Sequence, residues 1–329
     1  MGITGESKVL AMSLASYQEK FSQLAVNLAH GEFRPHKICM LLAVLDLAQA
    51  GGLVENRIYF SPPLKERYLK FFEAVKGPNM HAHAHYPFFH LRGKLKKGVP
   101  SFWHLQPLPG RESAVKALVT ITSSNQLTSN IAFAKIDEEL FEIVQSPDAI
   151  DVLGEALTEH WFDRGLGELH AVMAKSAEIS RYEKKLRIGP TTLKTDPIAP
   201  SYVRSPAFRR VVTQIYDYRC AATGVRLILP NGEALVEAAH IHPFSEAGDD
   251  DPRNGLSLTP NMHWAMDKNL IAPGPDFKWH VSKTLDDRIP DYAMLTDLRG
   301  RPVICPNELR MTPKKEALAW RLERLRKTD

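Results

Sequence analysis

Three short runs decide the fold of this 329-residue chain: Glu237-Ala238-Ala239-His240-Ile241-His242-Pro243, Arg253-Asn254-Gly255-Leu256-Ser257-Leu258, and Asn261-Met262-His263-Trp264 closing on Asp267. Ala234 to Ile241 reads as a strand carrying His240 near its end, and an acidic loop, Asp249 to Asp251, follows. Gly255 to Leu258 reads as a second short strand and Pro260 to Asp267 as a helix. His263 and Asp267 stand four residues apart, so they project from one helix face. Strand, loop, strand and helix can thus gather two imidazoles, an amide and a carboxylate. Such a set can bind one hard or borderline divalent ion and place a base beside it.

Outward from this stretch, the chain reads in three parts. Residues 1–165 form a first domain, 166–200 a helical linker and 201–329 a second domain. In the first part Tyr17–Ala29, Lys37–Gln49 and Lys65–Val75 read as helices, and Gly51-Gly52 ends the second of them. Met80 to Leu91 is rich in histidine and aromatics, Arg92 to Lys97 is basic, and Ser101 to Leu105 reads as a strand. Asp137–Val144 and Pro147–Trp161 form an acidic helical pair. The linker reads as a helix, Leu169–Leu186, broken at Gly189-Pro190 and stiffened by Pro197 and Pro200. Beyond it, Pro206–Tyr216 reads as a helix, Trp279–Val281 as a strand and Pro313–Lys327 as a basic amphipathic helix.

Composition sets the class. With 44% hydrophobic and 24% charged residues the chain is neither disordered nor collagenous, and it lacks an apolar run long enough to span a bilayer. Met1 to Lys20 lacks the ordered basic, apolar and small-residue regions of a signal peptide, which predicts a cytoplasmic protein without membrane partners. Three cysteines, Cys39, Cys220 and Cys305, do not make a disulfide framework and suit a reducing compartment. The net charge is +4, but it is uneven: residues 1–113 carry 14 basic and 8 acidic side chains, and residues 114–165 carry 3 and 9. A basic first segment can attract a polyanion.

The stretch Phe208 to Ile271 resembles HNH endonucleases of the ββα-metal fold. Tyr218-Arg219-Cys220 with Thr223-Gly224, Ala239-His240-Ile241-His242-Pro243, Asn254-Gly255-Leu256-Ser257-Leu258, His263, Asp267 and Ile271 carry the likeness. The resemblance implies His240 as general base, Asn254 as the brace of the ββα turn, and His263 as metal ligand, with Mg²⁺ or Mn²⁺ as cofactor. Imidazole titrates near neutrality, where a water must be deprotonated, and a divalent ion stabilises charge on the phosphoryl oxygens. Many members place Asp or His just before the base as a ligand, where this chain has Ala239. Candidates to complete the shell are His242, Glu237 and Asp267, with Asp267 favoured because it shares a face with His263; the metal set is then His263, Asp267 and His240. Paired CxxC motifs are missing, so a structural zinc is not expected.

The front part, about Tyr17 to Phe162, resembles the sulfur-binding domain of phosphorothioate-dependent, McrA-type restriction endonucleases. Pro35-His36-Lys37, Tyr86-Pro87-Phe88, Phe102-Trp103 to Pro107, and Ile136-Asp137 to Leu140-Phe141 carry that likeness. It implies that Tyr86 and Pro87 line a pocket for sulfur, while His36, Lys37 and Arg111 contact backbone or bases. Arg92, at the end of the aromatic run, adds a further cation. Sulfur accepts hydrogen bonds poorly, so an apolar pocket costs it less desolvation than oxygen. The fold class expected is α+β, a mostly helical N-terminal reader with a small sheet joined to a ββα-metal nuclease. The function expected is metal-assisted cleavage of phosphorothioated double-stranded DNA. One such site cuts one strand at a time, and a homodimer through the C-terminal half is one route to a double-strand break. Two other readings stand beside it: a nuclease whose front domain reads another mark such as methylcytosine, and a non-catalytic DNA-binding regulator, which Ala239 favours.

Overall fold

A computed structural model of the chain describes residues 5–26, 28–29, 32–161, 168–189 and 199–327. It divides into two compact units, residues 1–181 with 230–232, and residues 182–229 with 233–329. The division falls inside a helix, Glu168–Ile188, whereas the sequence places the second domain from Ser201. The last turns of that helix belong with the second unit because Glu183 is fully buried there between Arg187 and Arg210. Pro190 and Pro197 of the expected linker lie outside the described residues.

The first unit is built around one apolar helix. Its elements are α1 (Gly5–Ser22), β1 (Leu28–Ala29), β2 (Glu32–Phe33), α2 (His36–Gln49), α3 (Pro62–Glu73), α4 (His85–His90), β3 (Trp103–Pro107), α5 (Glu112–Ala117), α6 (Ser124–Thr128), β4 (Ile131–Ile136), α7 (Glu138–Ile143), α8 (Pro147–Trp161) and α9 (Glu168–Ile188). Every residue of α2 from Ile38 to Gln49 is buried, as expected of a helix apolar on all sides. It packs against α3, α4 and α8. Asp46, the one carboxylate on this helix, is satisfied by Arg67 at 3.0 Å and by the hydroxyls of Ser176 and Ser180. Two expectations change here. The helix expected over Tyr17–Ala29 ends at Ser22, and Leu28–Ala29 pairs instead with Glu32–Phe33. Ile131–Ile136 is an unforeseen strand, antiparallel to β3 and bridged on its other side to Ile58.

The second unit contains α10 (Ser201–Ile215), β5 (Glu237–His240), α11 (Phe244–Ala247), β6 (Gly255–Leu258), α12 (Pro260–Asp267), β7 (Ile271–Pro273), β8 (Trp279–Val281), α13 (Ala293–Thr296) and α14 (Lys315–Glu323). Helix α10 starts five residues earlier than expected and runs through Pro206, its first turn closed by bonds from Val203 and Arg204 to the Pro200 carbonyl. β5 and β6 pair antiparallel with Glu237 opposite Leu258 and His240 opposite Gly255. Phe208 and Val212 of α10 pack against the face of this hairpin that carries His240 and Gly255, while Ala239, Ile241, Leu256 and Leu258 are buried in the core. Met262, Ala265 and Met266 bury the inner face of α12. Cys220 is buried and receives the Thr259 amide on its sulfur, so it is a core residue. The whole is α+β, helices with small antiparallel two-stranded sheets. No helix among the described residues is long and apolar enough to cross a membrane.

Candidate active site

The β5–β6 hairpin and α12 set the chemistry. Side chains on a strand alternate, so Glu237 and Ala239 share one face of β5 while Ala238 and His240 share the other. Ala239 is fully buried. On the opposite face the His240 ring lies flat on Phe208 of α10, with centroids 3.9 Å apart and planes within 1°. Its Nε2 is 3.0 Å from the carboxylate of Asp250, which is itself buried. Arg204 donates to the other Asp250 oxygen at 2.8 Å, and the Tyr182 hydroxyl lies 3.3 Å from it.

Asn254 is 1% exposed and closes the loop between the strands. Its Oδ1 accepts the His242 amide at 2.9 Å, and its Nδ2 donates to the His242 and Asp249 carbonyls at 2.9 and 3.0 Å. The loop's three aspartates are matched by three cations. Arg204 takes Asp250, Arg253 takes Asp251, and Lys314 bridges Asp249 and Asp251. Burial alone would raise the Asp251 carboxyl, but hydrogen bonds from Arg253 and Lys314 hold it below the ordinary carboxylate value.

His263 lies between two carboxylates. Its Nδ1 is 2.7 Å from Glu237, and its Nε2 is 3.4 Å from Asp267. Glu237 lies two residues upstream of Ala239 on the same strand face and reaches the His263 ring from there. An Nδ1–H donated to Glu237 leaves the Nε2 lone pair facing Asp267. That is the arrangement of a ligating imidazole whose second nitrogen is held by a carboxylate. By donor chemistry the His263–Asp267 pair fits part of the shell of Mg²⁺ or Mn²⁺, an ion that keeps several waters and takes substrate phosphate oxygens. The third expected donor does not join them. His240 is committed to Asp250 and Phe208, and among the described residues no three His, Cys, Asp or Glu side chains converge to hold a metal.

Residues 220–272 match the family model described as HNH endonuclease. This segment is an HNH endonuclease domain. His240, Asn254, His263 and Asp267 all lie within it, and Phe208 and Arg204 of α10 flank it. A solved structure titled "Modification dependent TagI restriction endonuclease" shows 21% identity over 37% of this chain and 39% of its own length, with a TM-score of 0.30. The match thus spans well under half of that chain. No curated protein matches.

Outside the HNH domain, the first unit holds a cavity of about 340 Å³ lined by Ala25, Val26, Arg34, His36, Lys37, Tyr86, Pro87, His90 and Thr120. Four of the six residues expected to meet DNA, namely His36, Lys37, Tyr86 and Pro87, line it together. His36 and Lys37 open α2, and Tyr86 and Pro87 open α4. His36 hydrogen-bonds the His81 carbonyl at 3.1 Å. Burial lowers the pKa of His36 and of Lys37; His90 is lowered by burial and by the nearby Lys37 and Arg92. The other two expected residues stand apart from the cavity lining. Arg92 lies over the Phe89 ring and donates to the carbonyls of Val115 and Leu118, which end α5. Arg111 is exposed at the start of α5, where its carbonyl accepts the Val115 amide.

Proposed function

We infer that the protein is a modification-dependent restriction endonuclease that recognises phosphorothioated DNA and hydrolyses its phosphodiester bonds. The observation that carries the cleavage reading is the assembly of His240, Asn254 and the His263–Asp267 pair on one strand–loop–strand–helix unit inside the HNH segment. His240 takes a proton from water, the hydroxide attacks phosphorus, and the P–O bond to the leaving oxygen breaks with its electron pair staying on that oxygen, which is then protonated from solvent. Asn254 holds the loop that follows the base. His263 and Asp267 would hold Mg²⁺ or Mn²⁺, which when bound stabilises charge on the phosphoryl and leaving oxygens.

The sulfur reading rests on the cavity in the first unit. Tyr86 and Pro87 give it an apolar wall, where the larger, weakly accepting sulfur is tolerated better than oxygen. Lys37 and Arg34 supply positive charge, and α2 points its N-terminus to the same place. Cations at the rim hold the phosphate while the wall reads the substituted atom. The test is cleavage and binding of matched duplexes, phosphorothioated, methylated or unmodified, with Mg²⁺ or Mn²⁺. Cleavage confined to the sulfur-bearing duplex, lost in His240→Ala with binding kept, is the expected result. Tyr86→Ala should erode the sulfur preference more than plain-duplex binding. Equal binding of all three duplexes at several salt concentrations would remove the sulfur reading and leave the nuclease. Full-rate cleavage by His240→Ala would remove His240 from the mechanism.

A further inference from the structure

One aspartate of the acidic loop between the two strands is buried against an imidazole as well as against a cation. Asp250 is 4% exposed, yet it is aimed at the one imidazole that the cleavage reading makes the base. Asp249 and Asp251 face Lys314 and Arg253 and anchor the loop. Asp250 instead reaches inward, with one oxygen on His240 Nε2 and the other on Arg204.

We propose that Asp250 is the positioning residue of the HNH site: its buried carboxylate accepts the Nε2–H of His240, which fixes the tautomer and leaves the lone pair on Nδ1 as the base. The inference rests on the reading of His240 as general base. An imidazole with one nitrogen donating to a carboxylate must hold its basic electron pair on the other nitrogen. Phe208 adds the second constraint, because a ring stacked within 1° on another ring is kept in its plane. Asp250 therefore selects the tautomer, Phe208 selects the ring plane, and Arg204 aligns the carboxylate. When water gives its proton to Nδ1, the imidazolium is stabilised by the same carboxylate, which takes no proton itself.

Asp250→Asn separates this role from packing. The amide is close to isosteric, but its Nδ2 can donate to Nε2, turning the ring to the tautomer that carries its proton on Nδ1 and offers water no lone pair there. In full-length protein with Mn²⁺ and a phosphorothioate-bearing duplex, kcat should fall by about 10²–10⁴-fold, while DNA affinity moves by no more than about threefold. Asp250→Glu, which restores an accepting carboxylate, should recover part of the rate. Arg204→Gln removes the ion pair but leaves Asp250 accepting from His240, and should lose far less. Imidazole nitrogen NMR shifts should report an Nε2-protonated His240 in the parent and an Nδ1-protonated ring in Asp250→Asn. Equal losses in Asp250→Asn and Arg204→Gln, or an Nδ1-protonated ring in the parent, would overturn the proposal. The parent spectrum decides the matter even if Asp250→Asn fails to fold. If His240→Ala still cuts at the parent rate, the reading of the base falls instead, a result distinct from full activity in Asp250→Asn alone.

Discussion

Replacing Asn254 by alanine should destabilise the second unit by about 1.5–4.5 kcal/mol, because three part-buried side-chain hydrogen bonds vanish at about 0.5–1.5 kcal/mol each. Those bonds tie the amide to the His242 N–H and to the carbonyls of His242 and Asp249. Asn254 is 1% exposed, so water reaches the abandoned groups poorly; His242 is only partly buried, which sets the lower end of the range. The backbone bond from the Ile241 amide to the Asn254 carbonyl survives, so the strand ends stay joined while the loop loosens. Urea unfolding followed by NMR at the Trp279 indole N–H, which is buried and donates to the Ala221 carbonyl, reads the second unit. With a slope of about 2 kcal/mol per molar, the middle of the usual range, the midpoint should drop by roughly 1–2 M. Hydrogen exchange gives a local check, since the His242 amide should lose protection before those of β6. Asn254→Asp should cost at least as much, as it keeps the acceptor but sets a carboxylate against two carbonyls. A midpoint shift equivalent to less than about 0.5 kcal/mol, the range of an ordinary surface change, would refute the brace.

Gly255→Ala should cost about 1–3 kcal/mol by overpacking and also slow cleavage, with DNA binding retained. Its new Cβ would lie 2.6 Å from Val212 Cγ2 and 2.8 Å from Phe208 Cζ, and so displace the ring on which His240 rests; a calorimetric scan and single-turnover cleavage check the pair of effects. Lys37→Ala should weaken sulfur-bearing and ordinary duplexes alike and reduce the slope of log K against log salt by about one, which anisotropy titrations at several salt concentrations would measure. The first unit should lose stability as pH falls below the ordinary imidazole value of about 6.5. Burial, with His83 and Lys65 nearby, pushes His85 down to about 4, so the unfolded chain binds the proton first; the contribution is complete above the unfolded value and lost on the way down to the folded one. Chemical unfolding of the parent and His85→Asn across that window should show a flatter profile in the variant.

Much of the second unit was legible because its signals are local. Gly255–Leu258, Pro260–Asp267 and Trp279–Val281 have the bounds expected, each being a short run punctuated by Gly or Pro or by a change of apolar period. Pro147–Trp161 likewise matches, opened by its proline. What escaped depends on distant partners. Asp250 reads in sequence as one charge in a solvated run, and its meaning comes from Arg204, which lies 46 residues away. Arg92 reads as an exposed cation after an aromatic stretch. In the fold its guanidinium meets carbonyls 23 and 26 residues further on, so it is tied to α5 and does not line the cavity. Ile131–Ile136 carries no clean alternation, and is a strand because β3 and Ile58 pair with it from both sides. The departure at Ala239 was visible, but the contact of Glu237 with His263 was not. Pairing of β5 with β6 and the packing of α12 are what set Glu237 against His263.

The two halves of the candidate site differ in stiffness, and the difference follows from what each has to do. On the base side the His240 side chain is 24% exposed and its partner Asp250 only 3%, with Phe208, Arg204 and Tyr182 closing the frame. A base needs one tautomer in one plane before water arrives, so its surroundings gain by being over-determined. On the ion side Asp267 is 54% and Glu237 45% exposed, and the contact from Asp267 to His263 is a loose 3.4 Å. A metal that keeps waters and must also accept phosphate oxygens gains from a ligand set open on the solvent side. The His263 ring stands between the two exposed carboxylates, with Glu237 on one nitrogen and Asp267 facing the other. Ala239 is fully buried and offers no donor, so the pair that would hold the ion, His263 with Asp267, is left on the side open to solvent, where a DNA backbone can reach.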